Sequence, residues 1–161
     1  MHDVKPTSEH EWLQQLVGDW LVETEASMGP DQPPSLFHGS ESVRTLGDLW
    51  VLCEGCGQMP DGDEARMLFT FGYDLKKQKF VGSFIGSMMT HFWIYEGSLD
   101  AAKKVLTLDT VGASFADENQ QANYHDIIEI IDADHRQLRS EYQAADGTWH
   151  QFMTARYTRK K

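Results

Sequence analysis

Cysteine is scarce in this sequence, with two among 161 residues, too few for a disulfide framework. Cys53-Glu54-Gly55-Cys56 has the C-x-x-C spacing, but zinc takes four ligands, usually from a second such pair, and there is none. A redox pair needs a strand-to-helix context. Here the motif falls inside a strand pattern, where residues three apart point to opposite faces, so both thiols are read as structural. Positive charge is scarce too. Fourteen Lys and Arg against 25 Asp and Glu leave a net charge of −11, which argues against nucleic acid, since phosphate binding depends on clustered bases. No apolar run approaches the ~20 residues that span a bilayer. The opening Met1-His2-Asp3-Val4-Lys5-Pro6 lacks the apolar core of a signal peptide. The expectation is a cytoplasmic protein with neither a nucleic-acid nor a membrane partner. No Gly-x-Ser-x-Gly elbow, Walker loop or dinucleotide fingerprint occurs.

What is present is ordinary in amount and informative in order. Apolar residues make up 40% and charged residues 24%, as in soluble globular proteins. The length suits one domain over residues 1–161, which would bury roughly 70% of its unfolded surface without a metal. Residues 7–17 read as a short helix, with Ser8 and Glu11 at capping-box spacing and Trp12, Leu13, Leu16 and Val17 on one stripe. Gly18 stops it. So short a helix must pack on something.

From Gly18 onward everything reads as strand and turn. The expected strands are 19–28, 36–46, 49–58, 65–74, 78–87, 91–99, 104–111, 122–132, 136–144 and 148–158. Asp61-Gly62 and Asp146-Gly147 favour tight hairpins because both residue types permit positive φ. Short gaps imply antiparallel neighbours. About ten strands in an open sheet would leave two edges, which closure removes. A two-sheet sandwich is the competing architecture. The up-and-down order, and Trp20 at the head of the first strand as an end plug, favour an all-β closed barrel over 18–158, with the helix capping one end.

Such a barrel is either filled by its own side chains or holds one small ligand. Met67, Phe69, Phe71 and Tyr73 share one face of a strand, Trp93 and Tyr95 share a face with His91, and Trp50 shares one with Glu54. Aromatic residues with polar tips suit a mostly apolar pocket. Met59, Met88 and Met89, with Met28 leading in, gather at the end opposite the helix, where adaptable thioethers suit an apolar ligand. A carrier or sensor of a small, largely apolar molecule is the leading function. An inward Glu54 would be costly to desolvate and therefore a candidate functional carboxylate. It or His91 would serve an enzyme using a single acid or base. A third possibility is a filled barrel that forms a homodimer through an outer face, with Val51, Cys53, Val81 and Ile85 as its apolar residues. His91, His125 and His150 lie on expected strands. No metal-binding spacing joins them, no cofactor is expected, and haem held by His91 and His150 is the minor alternative.

Several stretches together resemble a bacterial family of unknown function assigned a lipocalin-like, calycin-type barrel. They are the Trp12-Leu13 helix running into Val17-Gly18-Asp19-Trp20, then Leu46-Gly47-Asp48-Leu49-Trp50-Val51, Phe71-Gly72-Tyr73-Asp74 and Phe80-Val81-Gly82-Ser83. Ser87-Met88-Met89, Trp93-Ile94-Tyr95-Glu96-Gly97 and Tyr157-Thr158-Arg159 complete the set. The resemblance implies the barrel and a bacterial cytoplasmic origin, and no catalytic residues. Lipocalin-like barrels also imply a basic side chain from the last strand over the first-strand tryptophan. Arg159 is the candidate, with Arg156 as the alternative, and the contact would close the barrel.

Overall fold

The computed structural model describes residues 4–27, 33–59 and 61–161. Alternating apolar and polar residues form ten strands among them: β1 (Gly18–Ala26), β2 (Ser35–Leu46), β3 (Trp50–Gln58), β4 (Glu64–Asp74), β5 (Lys79–Gly86), β6 (Trp93–Leu99), β7 (Val105–Ala113), β8 (Gln121–Asp132), β9 (His135–Gln143) and β10 (Trp149–Arg159). Each pairs antiparallel with its neighbour in sequence. β1 also pairs with β10, Trp20 opposite Arg159 and Ala26 opposite Met153, so the sheet closes on itself. Closure excludes the sandwich and leaves no edge strand among the described residues.

The two Asp-Gly turns work as their chemistry requires. Gly62 and Gly147 have φ of 91° and 89°, and Asp61 and Asp146 each accept the amide two residues on, at 2.9 and 3.0 Å.

The N-terminal helix α1 (Ser8–Leu13) gives way to a 3-10 turn over Gln14–Leu16, so its α-helical part is shorter than the sequence suggests. Its cap also differs from the expected Ser8–Glu11 pair. The Thr7 amide donates to Nδ1 of His10 at 2.9 Å, while Nε2 of that ring reaches the Tyr73 carbonyl at 3.1 Å. His10 is buried, and one imidazole can accept at one nitrogen and donate at the other. It thus satisfies the helix start and pins the helix to β4 together.

Trp12, Leu13 and Leu16 are buried against the barrel. The indole N–H of Trp12 donates to the Lys103 carbonyl at 2.7 Å, and that of Trp20 to the Leu16 carbonyl at 2.9 Å. Arg159 lies over Trp20 with its guanidinium carbon 4.2 Å from the ring centroid. It donates to the carbonyls of Val17 and Gln15 at 2.7 and 3.1 Å. A cation over an indole is worth roughly 0.5–2 kcal/mol. Gly18 makes the approach possible: its φ is +133°, and a Cβ there would stand 2.4 Å from Nη1 of Arg159. Arg156 instead points outward to Glu25 at 3.5 Å. The helix end is sealed.

Candidate ligand site in the barrel interior

Strand parity decides which side chains reach the interior. On β3 the buried residues are Val51 and Cys53, whereas Trp50 is 41% exposed. Glu54 projects outward to pair with Arg44, its side chain 54% exposed. The expected interior placement of Trp50 and Glu54 is therefore wrong, and so is that of Val51 and Cys53 on an outer, dimerising face. Both faces of β3 carry apolar residues, so alternation could not choose between them. Gly72 helps decide it: Trp50 lies flat across this glycine on the outside, where a Cβ would come within 2.4 Å of the ring. Cys53 and Cys56 do face opposite ways, and both are free.

Inside, the rings of Phe69, Phe71 and Tyr95 stack on one another with centroids 5.5 to 6.4 Å apart, and Phe84 lies 4.5 Å from Phe69. Met67 is partly buried on the same face of β4. Tyr73, expected beside them, belongs to the sealed end. It packs on Phe80 at 5.0 Å and on His10 at 5.9 Å.

Two polar groups sit among these rings. Arg136 on β9 donates to Glu41 on β2 at 2.6 Å, the two side chains 4% and 6% exposed. Its guanidinium carbon lies 3.8 Å from the Tyr157 ring centroid and 4.6 Å from that of Trp20. Burial, reinforced by the Glu41 charge, pushes the Tyr157 phenol and the Cys53 thiol up. In the second group Asp126 accepts from the Tyr95 hydroxyl and, at 2.5 Å, from Ser140. Burial raises the Asp126 carboxyl above its ordinary range, opposed by those two hydrogen bonds. Burial and then the Asp126 charge raise the Tyr95 phenol. Thr110 completes the interior polar set. Its hydroxyl is buried and has no hydrogen-bond partner among the described residues.

Of these, only Tyr95 was named from the sequence as an interior ligand-binding residue. The missed signal was a polar residue at strand spacing from a buried apolar one: Glu41 two before Val43, Arg136 before Leu138, Asp126 before Ile128.

The end opposite the helix carries an aromatic mouth. Trp93 lies across Gly112 of β7, where a Cβ would stand 2.2 Å from the indole, and its N–H donates to the Met89 sulfur at 3.1 Å. Phe115, from the β7–β8 connection, packs edge-on against Tyr124, Tyr142 and Phe152 at 5.0 to 5.7 Å. Met88 and Met89 are exposed, Met88 against Gly86 at the end of β5. Met28 lies outside the described residues.

His91 precedes β6 rather than lying on a strand. It is exposed, hydrogen-bonded to the Val111 carbonyl at 2.9 Å and set edge-on to Trp93. His150 is at the same end, stacked on Tyr142. His125 faces outward between Asp109 and Glu141, at 2.9 and 2.8 Å. The three do not converge, and among the described residues no group of three His, Cys, Asp or Glu could hold a metal ion.

A hollow of about 610 Å³ lies elsewhere, as a trough across the outside of β2–β5. Its floor is backbone at Glu41, Gly55, Met67 and Gly86, which stand in register, and outward residues such as Ser42, Cys56, Leu68 and Ile85 form its sides. Another, of about 300 Å³, separates α1 from β5–β6 near Trp12 and Leu99. No described helix is long and apolar enough to cross a membrane.

A family described as a protein of unknown function, DUF1579, matches residues 5–159. No curated protein sequence matches the chain. Among solved structures, Rv2717c from M. tuberculosis is similar at a TM-score of 0.63 and 12% identity, over 99% of this chain and 100% of that one. An S-type phycobiliprotein lyase, CPES from Guillardia theta, is similar at a TM-score of 0.63 and 10% identity, over 98% and 94%. A de novo designed fluorescence-activating β-barrel is similar at 0.51 and 12% identity, over 91% and 95%. At these identities the likeness establishes the barrel alone.

Proposed function

The chain belongs to the DUF1579 family, and from that premise we propose that it binds a small, largely apolar molecule through the end of the barrel opposite the helix. One asymmetry carries this reading. The helix end is closed by Trp12, Leu16, Trp20 and Arg159, while the other end presents exposed thioethers and rings, with Trp93 5.2 Å from Tyr124 and opposite Phe84 of the interior in strand register. Methionine and aromatic side chains adapt to an apolar guest at low cost in ordering. The ligand would rest on Met88, Met89, Trp93 and Phe115 at the rim, with Phe69, Phe84 and Tyr95 further in. A redesigned β-barrel of similar fold, mFAP0, is by its name bound to DFHBI, which is in keeping with this reading.

Native mass spectrometry of freshly expressed protein tests it. The expected result is a co-purified small molecule that is lost from Trp93→Ala and retained by Glu54→Ala. A guest lost equally from both variants would contradict it.

A further inference from the structure

Thr110 is 6% exposed on the inner face of β7, two residues from Leu108 and two from Gly112, the glycine beneath Trp93. Its hydroxyl is buried without a partner among the described residues, a condition that native proteins rarely tolerate without a reason. Tyr124 stands directly opposite it on β8, and a polar group lies on the diagonal. Asp126 stands opposite Leu108 on β8, diagonal to Thr110, and Ser140 stands opposite Asp126 on β9. The Tyr95 hydroxyl reaches Asp126 from β6. These four side chains form a ledge just below the aromatic mouth, and three of them already satisfy one another.

We propose that the Thr110 hydroxyl is the specificity-determining contact for an uncharged hydrogen-bonding group, such as a phenol hydroxyl or a carbonyl, at the inner tip of the ligand. The inference rests on the reading of the mouth as the ligand site. An anionic tip is disfavoured because the ledge already holds the Asp126 carboxyl, and because the charge of the buried cation Arg136 is already paired with Glu41 through Nη2, its Nε lacking a partner among the described residues. A cationic tip finds the Asp126 oxygens taken by Tyr95 and Ser140. A neutral group can donate to or accept from the unpaired hydroxyl without placing a charge in a low-dielectric interior.

The test compares naphthalene, 1-naphthol and 1-naphthoate by equilibrium dialysis against the full chain and its Thr110→Val and Thr110→Ser variants. The expected result is that 1-naphthol binds the unaltered chain about three- to tenfold more tightly than naphthalene, the worth of one buried neutral hydrogen bond. Thr110→Val should abolish that preference and leave naphthalene affinity unchanged, and Thr110→Ser should keep it. The melting temperature of Thr110→Val should hold or rise, since an unpaired buried hydroxyl is removed. A preference that survives Thr110→Val, stronger binding of 1-naphthoate than of 1-naphthol, or a large fall in melting temperature would overturn the inference. Naphthalene binding without any preference for 1-naphthol defeats this inference alone. Binding of none of the three defeats it together with the reading it rests on.

Discussion

Arg136 donates to Glu41 at 2.6 Å across the barrel interior, from β9 to β2, with both side chains almost wholly buried. Two charges in such a place are stable only together. Removing one partner strands the other, which typically costs about 3–5 kcal/mol, whereas replacing both with apolar residues of similar volume is often neutral. Arg136→Ala should therefore lose about that much in urea unfolding at pH 7, and Glu41→Leu combined with Arg136→Met should recover most of it. A single substitution costing less than about 1 kcal/mol would mean that the interior is far wetter than the packing implies.

Gly18→Ala should destabilise the chain by about 1–3 kcal/mol, the cost of a side chain in a sparsely populated backbone region. Part of that loss comes from the clash with Arg159, so the penalty should shrink in an Arg159→Ala background. Equal penalties in the two backgrounds, read from urea midpoints, would remove the clash from the account.

Asp126 makes stability depend on pH in a defined direction. A carboxyl raised on folding keeps its proton in the native state at pH values where the unfolded chain has lost it. Its contribution is complete below the ordinary value of 3.8 and is lost as pH rises through the raised folded value. The groups that act on it are Tyr95 and Ser140, which donate to it, and His125, whose charge lowers it. Asp126→Asn, which cannot ionise, should therefore gain on the unaltered protein as pH rises from about 4 to 7. Urea midpoints at the two pH values give the comparison, and a gain in the opposite direction would contradict the burial assigned to Asp126.

Glu54→Ala should change stability by less than about 1 kcal/mol, because its partner Arg44 is an exposed surface cation. Phe69→Ala, inside the stacked rings, should cost about 3–5 kcal/mol. Comparable losses for the two would place β3 in the opposite parity.

The strands were legible because turn residues and apolar alternation recur at short, regular spacing, and a chain of ten such segments has few ways to hide its edges. The closing pair was legible through the resemblance to lipocalin-like barrels, which implies a last-strand cation over the first-strand tryptophan, and Arg159 ends the strand that meets the one Trp20 heads. The interior was harder to read. Where both faces of a strand are apolar, as around Trp50, Val51, Leu52 and Cys53, parity is set by a neighbour such as Gly72 on another strand. Charges such as Glu41 and Arg136 look like surface residues until their partner is found 95 residues away in sequence.

The most direct measurement is a methionine-methyl and tryptophan-indole NMR titration of the full chain with naphthalene. The account predicts saturable shifts at Met88, Met89 and the Trp93 indole, with the Trp12 and Trp20 indoles at the sealed end unmoved. Shifts at Trp12 and Trp20 without any at Trp93, or no saturable shift at all, would contradict it.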